Sequence, residues 1–154
     1  MKYRKTLTCG QQQDRPFKHI TIDYPYGHPL RLKGVEVGGV LMRNENIRGL
    51  TVMFLEGIEI DPEYRNRGIG KAVIKLLLER CDMLIGTITE DEAKPFWLKT
   101  GAVFRSLPKT GFPEYLIHTV TSEDPVFFFI TKNPQAVKLA EEMAERIPKE
   151  MAHV

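Results

Sequence analysis

The sequence predicts one α/β domain in which a mixed β-sheet is flanked by helices. Its length is that of a single ordinary domain, so we expect one core for residues 1–154. The apolar, branched run Gly49–Ile60 indicates a strand buried on both faces. The amphipathic stretch Gly68–Cys81 indicates a helix, and Met83–Thr89 indicates a second strand after it. This strand–helix–strand unit predicts a right-handed crossover.

Shorter elements are predicted on either side of this unit. On the N-terminal side they are strands at Tyr3–Thr8, Phe17–Asp23, Leu30–Val35 and Gly39–Met42, with turns at Tyr24–Pro29 and Asn44–Asn46. On the C-terminal side they are a helix from about Thr89 to Gly101, strands at Ala102–Leu107, Tyr115–Val120 and Val126–Ile130, and a last helix from Asn133-Pro134 to Pro148.

Composition and charge exclude several classes of protein. A net charge of +2 is too small for a nucleic-acid footprint. No run of eighteen apolar residues is present, and Met1–Gly10 is polar and basic without a following apolar stretch, so neither a membrane span nor a signal peptide is predicted. Two cysteines without CxxC spacing predict a cytoplasmic protein, with Cys81 in the core. The histidines at 19, 28 and 118 have no metal-ligand spacing, so no metal is expected.

The loop between the long strand and its helix predicts an anion site. The first amides of a helix have no internal partner, and the helix dipole adds to their pull on an anion. Gly68 and Gly70 let a phosphate approach the backbone. Three basic residues surround the same point: Arg65, Arg67 and Lys71. An ordinary tight turn with solvated basic residues is the alternative, since Gly-x-Gly before a helix is a weak signal.

Two other phosphate-binding motifs fail at single positions. A Walker-type loop requires glycine where Arg65 stands and serine or threonine where Ala72 stands. A dinucleotide-binding fingerprint requires a third glycine where Val73 stands.

The remaining pattern resembles a known family. Arg65-Asn66-Arg67-Gly68-Ile69-Gly70, after a strand that ends in Ile-x-Ile-Asp-Pro, resembles the acetyl-CoA loop of the GNAT-type N-acetyltransferase superfamily. A second element of that family is matched downstream, by Ala93, Phe96, Lys99 and Gly101. The resemblance covers residues 50–104, about a third of the chain.

The resemblance implies a central, splayed, mostly antiparallel sheet, which opens where the strand ending at Ile60 leaves the strand starting at Met83. Acetyl-CoA, or another acyl-CoA, would lie in this gap, with its pantetheine paired to the backbone near Ile58 and Ile60. Phe96 and Lys99 would line its far side. The pyrophosphate would meet the loop residues Arg65, Asn66, Arg67, Gly68, Ile69, Gly70 and Lys71.

Two positions and one stretch depart from the family pattern. Trp97 stands where many members have a tyrosine that protonates the leaving thiolate, and Glu90 stands in place of a frequent asparagine. A water or Tyr115 would then supply the proton. The stretch Gly10–Phe17 is too short for the two helices that shape the acceptor pocket in many members, which predicts a reduced N-terminal helical region.

Two carboxylates are candidates for the base that takes the proton of the amine. Glu56 and Glu59 stand in the strand that borders the gap, within an otherwise apolar run. Burial disfavours the charged form of a carboxylate and so suits it to accept a proton. The alternative is a bulge near Gly57 that turns one of the two side chains to solvent.

The function that this sequence predicts is acetyl transfer to an amine of a small molecule or peptide, directly within one ternary complex, because no cysteine falls near the expected thioester. A non-catalytic acyl-CoA-binding sensor is the first alternative, and an interaction protein whose loop binds no cofactor is the second. The late strands and the last helix offer a surface for a homodimer. The acceptor is not identified.

Overall fold

The computed structural model describes residues 5–8, 20–24, 28–88, 91–117, 120 and 125–151. Within these ranges the strands are β1 Lys5–Thr8, β2 Ile20–Tyr24, β3 His28–Leu32, β4 Val35–Ile47, β5 Leu50–Ile60, β6 Met83–Thr87, β7 Val103–Ser106 and β8 Val126–Ile130. The helices are α1 Ile69–Leu78, α2 Lys94–Lys99, α3 Glu114–Ile117 and α4 Pro134–Met151.

All of these strands belong to one mixed sheet, in the order β1-β2-β3-β4-β5-β6-β8-β7. In this described sheet only β5 and β6 run parallel, and every other pairing is antiparallel. The predicted α/β class and mostly antiparallel sheet are therefore confirmed. The predicted reduction between the first two strands, at Gly10–Phe17, lies outside the described residues.

The two longest strands, β4 and β5, form the centre of the sheet as a hairpin. The turn predicted at Asn44–Asn46 is wrong, because these residues pair with β5 and β4 runs on to Ile47. The chain instead turns at Arg48 and Gly49, whose φ angles are 53° and 82°. The Asn46 side chain accepts a hydrogen bond from the Gly49 amide at 3.1 Å and so supports the turn.

A hydrophobic core lies on each face of the sheet. Alternation along β5 sends Met53 and Leu55 to a first core, which includes α1 and α2, and sends Val52 and Phe54 to a second core, which includes α3 and α4. The prediction that this strand is buried on both faces is confirmed over these residues. Helices on both faces exclude water from the sheet centre, which stabilises it.

Two of the C-terminal predictions are wrong. The segment predicted as the strand Tyr115–Val120 begins as the short helix α3, after Pro113, whose carbonyl accepts the Leu116 amide at 3.0 Å. The last helix does not stop at Pro148 but runs to Met151, because a proline inside a helix removes one amide donor without necessarily ending it. The α2 helix starts later than predicted, after a 3₁₀ turn at Asp91–Ala93.

A close contact between β6 and the Phe128 ring predicts that one added methyl group at Gly86 lowers the free energy of unfolding. A Cβ at Gly86 of β6 would lie 2.6 Å from the Phe128 ring, whereas a Cβ at Gly57 of β5 would meet nothing within 4 Å. We expect Gly86→Ala to lower the free energy of unfolding by about 1–3 kcal/mol through overpacking. Gly57→Ala, the control, should stay within about 0.5 kcal/mol of the parent protein. Urea unfolding measures both, and equal stability of the two variants would contradict this packing.

Candidate functional site

The sheet opens between its two parallel strands. Pairing of β5 with β6 ends at Leu55 and Gly86, although β5 continues to Ile60. Thr87, the next residue of β6, pairs only with Phe127 of β8. In the described part of the chain no strand pairs with this edge of β5 from Glu56 to Ile60. The splay that the sequence predicts is therefore present, and it leaves backbone amides and carbonyls available to a ligand.

A short loop connects the open end of β5 to α1. The Asp61 amide donates to the Val37 carbonyl at 2.8 Å, which fixes the end of the strand. After a 3₁₀ turn, Nε of Arg65 donates back to the Ile60 carbonyl at 2.7 Å. Arg65 therefore closes the loop onto the strand, a structural role that the sequence does not reveal. Asn66 then takes a left-handed conformation with φ of 63°.

The first turn of α1 faces out of this loop with its amides available. Gly68 is the residue before the helix, with φ of 84°, and no side chain caps the helix there. Its carbonyl accepts the Ala72 amide at 3.1 Å. The amides of residues 69–71 precede that first helical hydrogen bond and have no partner inside the helix. Such a helix start binds anions through its amides and its dipole.

The side chains of the loop divide between core and solvent. Ile69 is buried in the first core, so only its backbone faces the helix start. Arg67 and Lys71 are exposed, and the Arg67 guanidinium lies 5.6 Å from the centre of the Tyr64 ring. Exposed cationic side chains beside uncapped amides raise the local attraction for an anion.

The second sequence element meets the loop through Phe96. A Cβ at Gly70 would lie 3.1 Å from the Phe96 ring, so glycine here allows the ring to reach the start of α1. Phe96 also packs edge-on against Trp97, with ring centres 4.9 Å apart. Trp97 is only 6% exposed and stacks on Phe128, which makes it a core residue. Lys99 is exposed in the last turn of α2.

The two candidate carboxylates lie in different environments. The register of β4 and β5 shifts between Leu41–Gly57 and Met42–Leu55, which leaves Glu56 as the extra residue of a β-bulge. Its side chain is 9% exposed, and Oε1 lies 2.8 Å from Nε of Arg43. The contact is an ion pair in which the N–H is poorly directed, since Oε1 is buried without a hydrogen bond. Glu59 is exposed.

A polar network that the sequence analysis missed surrounds Glu56. The Arg43 guanidinium lies 4.2 Å from the centre of the Tyr115 ring, whose hydroxyl donates to Oε2 of Glu45 at 3.2 Å. Burial of the phenol, followed by the charge of Glu45, raises the pKa of Tyr115 to about 12. Residues two apart in a strand lie on one face, so the sequence places Arg43 and Glu45 together on β4. Their contacts with Tyr115 could not be predicted, because they depend on α3 covering that face.

An open cleft of about 640 Å³ lies beyond the bulge, on the strands β4 and β5. We call it the β4–β5 cleft. It is lined by Pro29, Glu36, Gly38, Gly39, Val40, Leu41, Gly57, Ile58, Glu59 and Asp61. Because Gly39 pairs with Glu59 and Leu41 pairs with Gly57, these four residues share one face of the hairpin.

Other chemistry-bearing groups are few in the described ranges. No cluster of histidine, cysteine, aspartate or glutamate is arranged there to hold a metal ion. None of the helices in these ranges has the length and apolar character needed to cross a membrane. Cys81 packs against the first core, as predicted, and burial raises the pKa of its thiol to about 12.

Comparison with known proteins gives one family. The model of the acetyltransferase (GNAT) family matches residues 5–100. That range runs from β1 to the end of α2 and includes the gap, the loop and both candidate carboxylates. No curated protein matches the chain by sequence.

Several solved structures are similar to this one. Naa50 of Arabidopsis thaliana, in complex with the bisubstrate analogue CoA-Ac-MVNAL, is 17% identical over 66% of this chain and 69% of that one, with a TM-score of 0.44. A GNAT-family acetyltransferase from Bacillus anthracis is 18% identical over 68% and 65%, with a TM-score of 0.48. Ard1 from Thermoplasma volcanium is 15% identical over 73% and 70%, with a TM-score of 0.46. The chain spans about two thirds of the length of these proteins.

The environment of Tyr115 predicts that its hydroxyl loses its proton only at a pH above the ordinary range of a tyrosine. The folded protein holds this proton above the ordinary pKa of 10, so its contribution to stability is present below pH 10 and is lost as the pH rises through about 12. The difference in phenolate absorbance between the parent and Tyr115→Phe should therefore appear near pH 12. Glu45→Gln should move it toward pH 10, because the carboxylate charge is removed. A difference signal centred at pH 10 in the parent would contradict the described network.

Proposed function

We propose, from the premise that the chain belongs to the acetyltransferase (GNAT) family, that it is an acyl-CoA-dependent N-acyltransferase. Acetyl transfer from acetyl-CoA is the general activity that this membership supports. The single observation that carries the proposal is the unpaired edge of β5, which leads directly to the uncapped start of α1. A peptide-like chain ending in a pyrophosphate fits these two features together, since one pairs with a strand edge and the other with helix amides.

In the proposed complex the pantetheine arm of acetyl-CoA lies along the open edge of β5. The backbone of Ile58 and Ile60 hydrogen-bonds its amides. The pyrophosphate rests on the amides of residues 67–71, with the side chains of Arg67 and Lys71 around it. Phe96 and Lys99 border the other side. Arg65 acts differently from its neighbours, because its Nε is bonded to the Ile60 carbonyl and so shapes the loop.

The proposed reaction is direct attack of an amine on the thioester. The amine nitrogen bonds to the acetyl carbonyl carbon, the carbon–sulfur bond breaks, and the amide product and CoA are formed. Glu56 is the candidate to accept the amine proton, because it is the bulged residue of β5 at the level where the sheet opens. Its buried Oε1 is ion-paired with Arg43, so a water would carry the proton to it. The exposed Glu59 is the weaker candidate.

The leaving thiolate needs no strong acid. The Trp97 indole is buried against Phe128 and is no acid at neutral pH. A thiol with a pKa of about 8.5 leaves tolerably well as the thiolate, which water then protonates. Tyr115 stays a second candidate, since it packs near the bulge beside Arg43.

A non-catalytic acyl-CoA-binding module is the alternative function. The observation that favours it is Trp97, which fills the position of the usual acid with a core residue. Three further proposals accompany either function. The chain forms a single acyl-CoA-binding domain over residues 1–154, it works in the cytoplasm, and it pairs as a homodimer through its C-terminal elements. No metal has a part in either proposal.

A glutamate at the helix start should abolish cofactor binding. Gly68→Glu places bulk and negative charge where the pyrophosphate would rest. We expect acetyl-CoA binding, measured by calorimetry, to be lost. The matched control is Gly49→Glu, because Gly49 has nearly the same φ, 82° against 84°, in the turn at the far end of β5. The control should keep the affinity of the parent, and equal affinity of both variants would count against this pyrophosphate site.

Measuring the release of free CoA thiol distinguishes an enzyme from a non-catalytic binding module. The protein is incubated with acetyl-CoA and a panel of small amines and peptides, and CoA thiol is measured over time. We expect at least one acceptor to release thiol, and Glu56→Gln to lower that rate by about 10²–10⁴-fold, the usual contribution of a general base. Tight acetyl-CoA binding without release by any acceptor would favour the module instead.

A further inference from the structure

We propose that the β4–β5 cleft is the acceptor site and that it selects a small amine with a second positive charge, a diamine or polyamine. This inference rests on the proposed acyltransferase function and adds the chemical class of the acceptor to it. It is carried by the position of the cleft, the empty space above its floor, the charge of its lining and the carboxylate at one end.

The cleft lies beside the open edge of β5. Ile58 belongs both to the lining of the cleft and to the stretch of β5 that no described strand pairs with on its β6 side. A thioester held along that edge is therefore next to anything seated on the face of the strand. Direct transfer requires this proximity, because the amine nitrogen must approach the carbonyl carbon to about 3–3.5 Å.

Gly57 makes room on the floor of the cleft. A Cβ at Gly57 would meet nothing within 4 Å, so no described residue fills the space above it. Gly39 lies on the same face of β4. A volume of about 640 Å³ is in the range of small-molecule sites, although this cleft is open to solvent. Gly57 has no positive φ, so backbone conformation alone does not demand a glycine there.

The charge on the lining has one sign. Among the lining residues that the structure describes, the ionisable ones are Glu36, Glu59 and Asp61, and none is basic. Carboxylates that share a cleft repel one another, so a cationic guest is favoured there and an anionic one is opposed. An acceptor with a single amine loses its charge when that nitrogen attacks. A second ammonium keeps the attraction through the reaction.

Glu56 gives the acceptor a direction. It and Arg43 lie on the same face of the hairpin as Phe54, and the cleft begins at the next residue, Gly57. Its Oε1 is buried beside Nε of Arg43, at 2.8 Å, so the proton of an amine in the cleft would reach Glu56 through a bridging water. The reacting amine therefore points toward Glu56, while the second ammonium lies among the carboxylates at the Glu59 and Asp61 end.

The first test compares two amines that differ in one charge. Thiol release from acetyl-CoA is measured with 1,4-diaminobutane and with 1-aminobutane, using the full chain. We expect kcat/KM to be at least about tenfold higher for the diamine, the effect of one charge-assisted hydrogen bond. Added salt should reduce this preference, because the carboxylates are partly exposed. Equal values for the two amines, or preference for a peptide, would overturn this inference.

Two variants test whether the preference comes from this cleft. Gly57→Leu fills the floor, and Glu59→Gln removes one charge. We expect Gly57→Leu to lower kcat/KM for the diamine by more than tenfold, and Glu59→Gln to raise KM for the diamine by more than it raises KM for 1-aminobutane. Both should bind acetyl-CoA as the parent does. The control Glu142→Gln removes a charge on α4, where Glu142 pairs with Arg48 far from the cleft, and should change nothing.

The outcomes separate this inference from the function on which it rests. If the parent protein binds no acetyl-CoA, the proposed function fails and the inference fails with it. If acetyl-CoA is bound and another acceptor is acetylated, while Gly57→Leu retains full activity, only the acceptor site is refuted. Thermal unfolding shows whether Gly57→Leu is folded. If that variant is unstable, the milder Glu59→Gln tests the acceptor site instead.

Discussion

The site depends on a break in backbone pairing at the middle of the sheet. β5 keeps an antiparallel partner in β4 along its whole length, but its parallel partner β6 leaves it after Leu55. The backbone groups on this open edge have no partner strand, so water or a ligand satisfies them. The β-bulge at Glu56 occurs at the same level, where it increases the twist and turns the strand away. The bulge and the start of the gap therefore lie at the same level of β5.

The two faces of β5 then carry different parts of the site. On the first face, apolar residues hold α1 and α2 against the sheet, and contact of Phe96 with Gly70 sets the position of the helix start. On the second face, Arg43 connects Glu56 to Tyr115, so the bulge is tied to α3. The uncapped amides and the candidate base are therefore fixed by separate sets of contacts, and substitutions in one set should leave the other intact.

The elements that build the cofactor loop could be predicted from local sequence signals. The central strand, its helix and the two glycines are neighbours in the chain, so pattern alone located the loop. The turn at Asn44–Asn46 was misplaced because pairing with β5 overrides the turn preference of asparagine. The role of Arg65 in closing the loop and the ion pair of Arg43 with Glu56 depend on three-dimensional contacts. No periodicity or motif in the sequence indicates these two contacts.

The most direct measurement of the central claim is a crystal structure with CoA bound. We expect its pantetheine amides to hydrogen-bond the backbone of Ile58 along the free edge of β5. We expect its pyrophosphate to contact the amides that open α1, between Gly68 and Lys71. A CoA molecule bound elsewhere on the protein, or a β5 edge that remains closed to it at saturating concentration, would contradict the claim.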